Sequence, residues 1–328
     1  MSRWLRLGLK TILTGSVLVA LAVTIDPTAL LDSLQEAQWT WIAVALLLSP
    51  FNLALDGWVW KRLLISVLDR VSLRNLLGAV LGGIALGFWT PARVGEYAGR
   101  ALYLPDGDRW TISLTVFAQR MVDMAVGVNV GLLALAWAFG HGALPLSGPW
   151  LAAAAIGLGT GTGLTALVAA PARVHSVVQW LLPNRPSITN RTALFERLSP
   201  EQGWTVVGGS LVRYLIFTGQ FACLGMAFAP SASWPLLAAA AGLTFYAKYL
   251  IPSLTLLDLG IREGSAAFFF QLLGLGAAAG LNAALVLFAA NVLVPALLGL
   301  PFVAHLRLPD FSRGANARSP VSASSSSL

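Results

Sequence analysis

The chain has 328 residues, of which 57% are hydrophobic and only 11% charged, and its mean hydropathy is +0.75. Soluble domains carry about 25% charged residues, so an ordinary soluble fold is excluded. The apolar runs are continuous rather than alternating, which excludes a transmembrane β-barrel. The net charge of +7 does not point to nucleic acid, because the basic residues gather in short segments beside apolar runs, as the positive-inside rule expects. A single cysteine, Cys223, excludes an intrachain disulfide and a multi-cysteine metal site.

A basic N-terminus, Met1 to Lys10, precedes an apolar run from Leu7 to Ile25. It resembles a signal peptide but reads better as an uncleaved first span, because the rest of the chain is equally apolar. Asp26 to Gln38 lacks Lys and Arg and reads as external, with a short interfacial helix. Trp39 to Trp60 is the second span. Tryptophans at both ends read as an aromatic belt, with Asp56 in the last turn read as interfacial. Lys61, Arg62, Arg70 and Arg74 mark a cytoplasmic loop.

Leu76 to Trp89 is apolar but short for a span. The stretch Thr90 to Arg100, T-P-A-R-V-G-E-Y-A-G-R, follows. The spacings of three and four put Arg93, Glu96 and Arg100 on one helix face. Thr111 to Phe139 is a long span interrupted by Gln119, Arg120, Asp123 and Asn129. The segment around His141 is external, Trp150 to Ala170 is a span, and Pro171 to Gln202 reads as the longest polar loop, cytoplasmic in location. Trp204 to Ala229 is a span that carries Arg213 too deep to snorkel. Pro235 to Leu250 is apolar except for Lys248. A second charged, proline-containing stretch follows at Pro252 to Gly264, P-S-L-T-L-L-D-L-G-I-R-E-G. Ser265 to Gly276 is again apolar and short. Leu281 to Val303 is the last full span, and residues 307–328 form a serine-rich cytoplasmic tail expected to be disordered.

Loop charges constrain the path. Residues 75–109 begin and end on the cytoplasmic side, and residues 235–280 begin and end externally. Two short apolar halves around a charged, Pro- and Gly-containing centre fit a re-entrant helical hairpin in each case, one from each face. The expected fold is therefore all-α: a polytopic helical membrane protein with about six full spans and two re-entrant hairpins in an inverted repeat, residues 1–306 forming a single domain. Broken helices of this kind place a binding site near the bilayer midplane. Trp89, beside the first tip, fits a full crossing better.

Ionisable residues inside a membrane are costly and default to functional candidates. Arg93, Arg100 and Arg262 are suited to bind phosphate bidentately. Glu96 and Glu263 are suited to hold those arginines, to contact an amine, or to exchange a proton. Arg120 with Asp123, Arg213 and Lys248 complete the intramembrane set, and Asp258 is a candidate partner for Arg262 or Lys248. The plain alternative is that Glu96–Arg100 and Arg120–Asp123 are ordinary helix pairs. Asn129, Asn282 and Asn291 read as interhelical hydrogen-bonding groups. No nucleophile, metal or Walker-type motif stands out, so neither an enzyme nor a cofactor is expected.

Three segments, P-A-R-V-G-E-Y-A-G-R, A-Q-R-M-V-D and D-L-G-I-R-E-G, in this order and spacing, make the chain resemble the lysylphosphatidylglycerol synthase transmembrane family. This is the flippase-like membrane region found in the multiple peptide resistance factor and in stand-alone proteins. Gln119 stands where the family usually has Glu, and Leu256-Leu257-Asp258 where it usually has Pro-Gly-Gly. The resemblance implies the lipid-handling part without aminoacyl-lipid synthesis. It implies a translocase that moves an anionic phospholipid or a polyprenyl-phosphate-linked lipid across the cytoplasmic membrane, with both termini cytoplasmic and the lipid head group as its partner. A lipid-modifying transferase and an envelope-assembly partner stay open as alternatives, as does association with a second copy or a separate synthase.

Overall fold

A computed structural model of the chain describes residues 27–306, apart from positions 69, 91, 92, 171, 186–188, 190 and 252–259. The predicted first span, Asp258 with most of the second motif, and the C-terminal tail lie outside the described residues. Every regular element among them is helical. Helix α1 spans Pro27–Gln35, α2 Trp39–Leu64, α3 Leu73–Phe88, α4 Val94–Tyr103, α5 Arg109–Gly140 and α6 Gly148–Ala169. Helix α7 follows at Ala172–Leu181, then a 3₁₀ turn at Ala193–Arg197, α8 at Pro200–Phe228, α9 at Trp234–Leu250 and α10 at Ile261–Leu272. Helix α11, Ala277–Phe288, runs through a π-helical turn, Ala289–Leu293, into α12, Val294–Val303.

Five helical stretches are long and apolar enough to cross a membrane: Trp39–Leu64, Arg109–Gly140, Gly148–Val168, Pro200–Phe228 and Ala277–Val303. They coincide with the five predicted spans that fall on described residues. Local chemistry sets their starts. Asp108 accepts from the Thr111 N–H at 3.0 Å and its hydroxyl at 2.7 Å to cap α5. Those bonds hold the Asp108 carboxyl below its ordinary range. Ser199 and Gln202 form a reciprocal capping box at the start of α8.

The elements flanking the two charged motifs are shorter. With 16 residues in α3 and 10 in α4, they reach only about 24 and 15 Å at 1.5 Å per residue. A bilayer core is about 30 Å thick. Helices α3 and α4 pack as a hairpin through glycine. A Cβ on Gly99 would lie 2.8 Å from the Gly83 Cα, and one on Gly95 would lie 2.5 Å from the Leu86 carbonyl oxygen. Thr90 fastens the turn: its hydroxyl accepts from the Gly95 N–H at 2.7 Å and donates to the Leu86 carbonyl at 3.2 Å. Helices α9 and α10 flank the second motif and pack on each other.

Two expectations are corrected. Trp60 is fully buried and is not a belt residue; its Nε1–H donates to Thr115 Oγ1 at 3.0 Å. The segment from 171 to 202 is not simply a polar loop. It contains α7 and the 3₁₀ turn, and Phe195 and Leu198 are buried in the main core, against which Val174 also packs. Its Pro and Arg content conceals the apolar face on which Val174, Val177 and Val178 lie.

The hairpin's close approach is testable. Gly95→Ala forces a methyl against a backbone carbonyl, and overpacking of this kind costs about 1–3 kcal/mol. A clear drop in thermal stability in detergent is expected. Gly140→Ala, where nothing lies within 4 Å of the added carbon, is expected to leave it unchanged.

Candidate functional site

The site is built around Asp56, a carboxylate on α2 that is 5% exposed. A buried charge is tolerated only when paired and hydrogen-bonded, and three helices supply the partners. Arg100 on α4 donates to Asp56 Oδ2 at 2.5 Å. Arg213 on α8 donates to Oδ1 at 3.0 Å. From α5, Arg120 approaches Oδ1 at 3.4 Å and Gln119 donates to it at 3.1 Å. Asp123 closes the network, accepting from Arg213 Nη2 at 2.6 Å and Arg120 Nη1 at 3.1 Å. Glu96 pairs with Arg93 at 3.2 Å, with Arg100 at 2.6 Å and with Arg120. Four guanidiniums thus meet three carboxylates among the described residues.

Within this network the arginines differ in access. Arg100 is fully buried, stacks over the Trp60 ring at 5.0 Å and donates to Gln119 Oε1 at 3.2 Å. It is a structural cation. The side chains of Arg93, Arg120 and Arg213 are 30%, 25% and 18% exposed, and all three line a cavity of about 140 Å³. Arg93 is also the one non-glycine residue among those described with a left-handed backbone, φ 55°. Such strain costs about 1–3 kcal/mol and concentrates at functional sites.

The same cavity is lined by Lys248 from α9 and Arg262 from α10. A smaller adjoining void of about 20 Å³ again touches Arg93, Lys248 and Arg262. Arg262 lies over the Phe288 ring at 5.3 Å and is held by Glu263, whose other oxygen accepts from the Gly260 N–H at 2.8 Å. Glu96 and Glu263, 2% and 1% exposed, sit behind their arginines rather than on the cavity wall. Of the ten residues singled out from the sequence, all but Asp258 are described. Five of them, Arg93, Arg120, Arg213, Lys248 and Arg262, face this one cavity.

Asp56 was read as interfacial and is instead the hub. The available signal was a polar stripe: Ser49, Asn52 and Asp56 recur at helical spacing on an otherwise apolar span, and all three line the cavity. The asparagines behave as expected. Asn129 donates to Thr165 Oγ1 at 3.1 Å, Asn282 to Ser33 Oγ at 3.2 Å, and Asn52 to Asn291 Oδ1 at 2.9 Å. A larger cavity of about 220 Å³ lies between α2, α5, α6, α7 and α8, but carries no charged side chain. Its one polar lining residue, Thr192, is already hydrogen-bonded to the Thr189 carbonyl at 2.7 Å.

These differences in access separate scaffold from contact residues. Arg100→Ala removes a cation from two buried carboxylates and is expected to destabilise the fold by about 3–5 kcal/mol, read as loss of a cooperative thermal transition. Arg93→Ala leaves Glu96 with Arg100 and Arg120, and its melting temperature is expected to stay within a few degrees of the parent.

Comparison with curated proteins and with solved structures returns no match. The family described as the lysylphosphatidylglycerol synthase TM region matches residues 7–299, a span that includes both charged motifs and every arginine of the cavity. This multi-pass membrane chain belongs to the lysylphosphatidylglycerol synthase TM region family.

Proposed function

We propose that the protein is a lipid translocase. It moves an anionic phospholipid or a polyprenyl-phosphate-linked lipid between leaflets of the cytoplasmic membrane, with both chain termini cytoplasmic. The observation that carries this reading is the convergence of Arg93 from the first hairpin, Arg262 from the second, and Arg120 and Arg213 from two long helices on one cavity. Guanidinium groups bind phosphate oxygens with charge-assisted, bidentate hydrogen bonds. Several of them around a small void suit a phosphate head group better than a neutral solute.

In this proposal the two hairpins are re-entrant and related as an inverted repeat, one from each face. Their short helices and their shared delivery of arginine to one cavity support it. Rocking of one hairpin against the other exposes the cavity to each leaflet in turn. The buried carboxylates hold the arginines in position rather than act as acid or base on substrate.

Reconstitution tests the proposal. Vesicles containing the purified chain are expected to show accelerated leaflet exchange of a fluorescent anionic phospholipid or polyprenyl phosphate over protein-free vesicles. The Arg93→Ala/Arg262→Ala variant is expected to lose about tenfold or more of that rate, because each hydrogen bond to a charged group contributes about 1.5–3 kcal/mol. No acceleration with any such lipid would contradict it.

A further inference from the structure

Two apolar hollows flank α5 outside the arginine cavity. The first is the cavity of about 220 Å³ on its α6–α8 side, walled by Met121, Leu164, Val168, Val178, Phe195 and Val206. The second, about 500 Å³ and more open, lies between α4 and α5, with Val94, Tyr97, Ala98 and Leu102 on its α4 side. Leu114 and Phe117 border both, so the hollows form a fork that straddles one edge of α5. Close packing seldom leaves voids of this size, and a cavity without free polar groups stays dry and takes an apolar guest.

At the Arg109 end of α5 the chemistry changes. The 32 residues of α5 run for about 48 Å against a hydrocarbon core of about 30 Å, so this end reaches the head-group layer. Trp110, and Trp180 and Leu181 on α7, are exposed apolar side chains of the kind that settle in that layer. Arg109 and Trp110 line the second hollow, and the Arg191 guanidinium lies over the Trp110 ring at 5.7 Å. Thr192, the next residue, lines the first hollow. Arg191 therefore stands beside the rims of both. The carboxylate nearest to it, Asp108, feels its charge but is engaged in capping α5 through Thr111. This end of the protein is basic as a whole: residues 61–74, 106–109 and 171–202 carry nine Lys and Arg against five Asp and Glu.

We infer that this fork is the binding site of a resident anionic phospholipid with two acyl chains, distinct from the lipid that is transported. One chain occupies each hollow, with Leu114 and Phe117 between them, and the phosphate lies against Arg109 and Arg191. Charge complementarity selects an anionic head group over a zwitterionic one, whose cationic part meets the same arginines. The fork selects two chains, because a single-chain lipid leaves one hollow empty. Helix α4 carries Glu96 and Arg100 and walls the second hollow. A chain seated there holds the spacing of α4 and α5, and so bears on the arginine network from outside it. The inference does not rest on the translocase reading, since no residue that lines the fork lines the arginine cavity.

Native mass spectrometry of the full-length chain tests it, with dioleoyl phosphatidylglycerol, dioleoyl phosphatidylcholine and oleoyl lysophosphatidylglycerol as probes. The parent protein is expected to hold one phosphatidylglycerol in the fork and one in the arginine cavity. In Arg109→Gln/Arg191→Gln the first is expected to weaken by about tenfold or more while the second is unchanged. Ala118→Phe places a ring in the first hollow and leaves every charge in place. It is expected to abolish the preference of the fork for two chains over one. A parent that holds a single phosphatidylglycerol, weakened in Arg109→Gln/Arg191→Gln, would uphold the fork and count against the arginine cavity as a lipid site. Phosphatidylglycerol binding unchanged in both variants would overturn the inference. So would phosphatidylcholine or the single-chain lipid held as tightly as phosphatidylglycerol at the site that depends on Arg191. If Arg109→Gln/Arg191→Gln does not fold, the response to Ala118→Phe decides the question.

Discussion

A carboxylate sealed between helices inside a membrane protein has to be neutralised where it stands, and Asp56 imposes that requirement on its neighbours. Its two oxygens receive Arg100, Arg213, Arg120 and Gln119, so α2, α4, α5 and α8 converge on one point. Desolvation of each ion is expensive, and mutual attraction repays it only when the remaining donors and acceptors are also met. Glu96 and Asp123 share Arg120, Arg100 and Arg213 with Asp56. Removing Arg100 would leave both Asp56 and Glu96 short of a buried cation.

Glycine makes this convergence possible. The Gly83–Gly99 and Leu86–Gly95 approaches bring α3 and α4 to backbone contact, which draws Glu96 and Arg100 inward and leaves Arg93 at the turn. Arg100 is then used up inside the protein. Arg93, Arg120 and Arg213 keep part of their guanidinium surface at the cavity. Arg262 and Lys248 approach the same void from α10 and α9. A scaffold of buried pairs thus supports a smaller set of accessible cations, and a lipid phosphate is the proposed partner of the latter.

Much of this was legible in the sequence. Spans of twenty or more apolar residues announce themselves by composition, and each one within the described residues became a long helix. The motif cations were visible because charge between apolar runs is conspicuous. Less legible was whatever depends on a tertiary neighbour. Asp56 is followed closely by Trp58, Trp60, Lys61 and Arg62, which together resemble a helix end at the interface. Only the packing of α4, α5 and α8 against it reveals a hub. Trp60 was misread for the same reason: a tryptophan near a basic cluster looks interfacial until Thr115 and Arg100 are found against it.

The most direct test is an experimentally determined structure of the chain in lipid nanodiscs containing an anionic phospholipid. The account predicts a head-group phosphate within hydrogen-bond reach of Arg93, Arg213 and Arg262 in one cavity near mid-depth, with Arg100 still sealed between Asp56 and Glu96. A structure in which Arg93 and Arg262 open onto separate surfaces, or in which the cavity lies at the membrane edge and holds no head group, would contradict it.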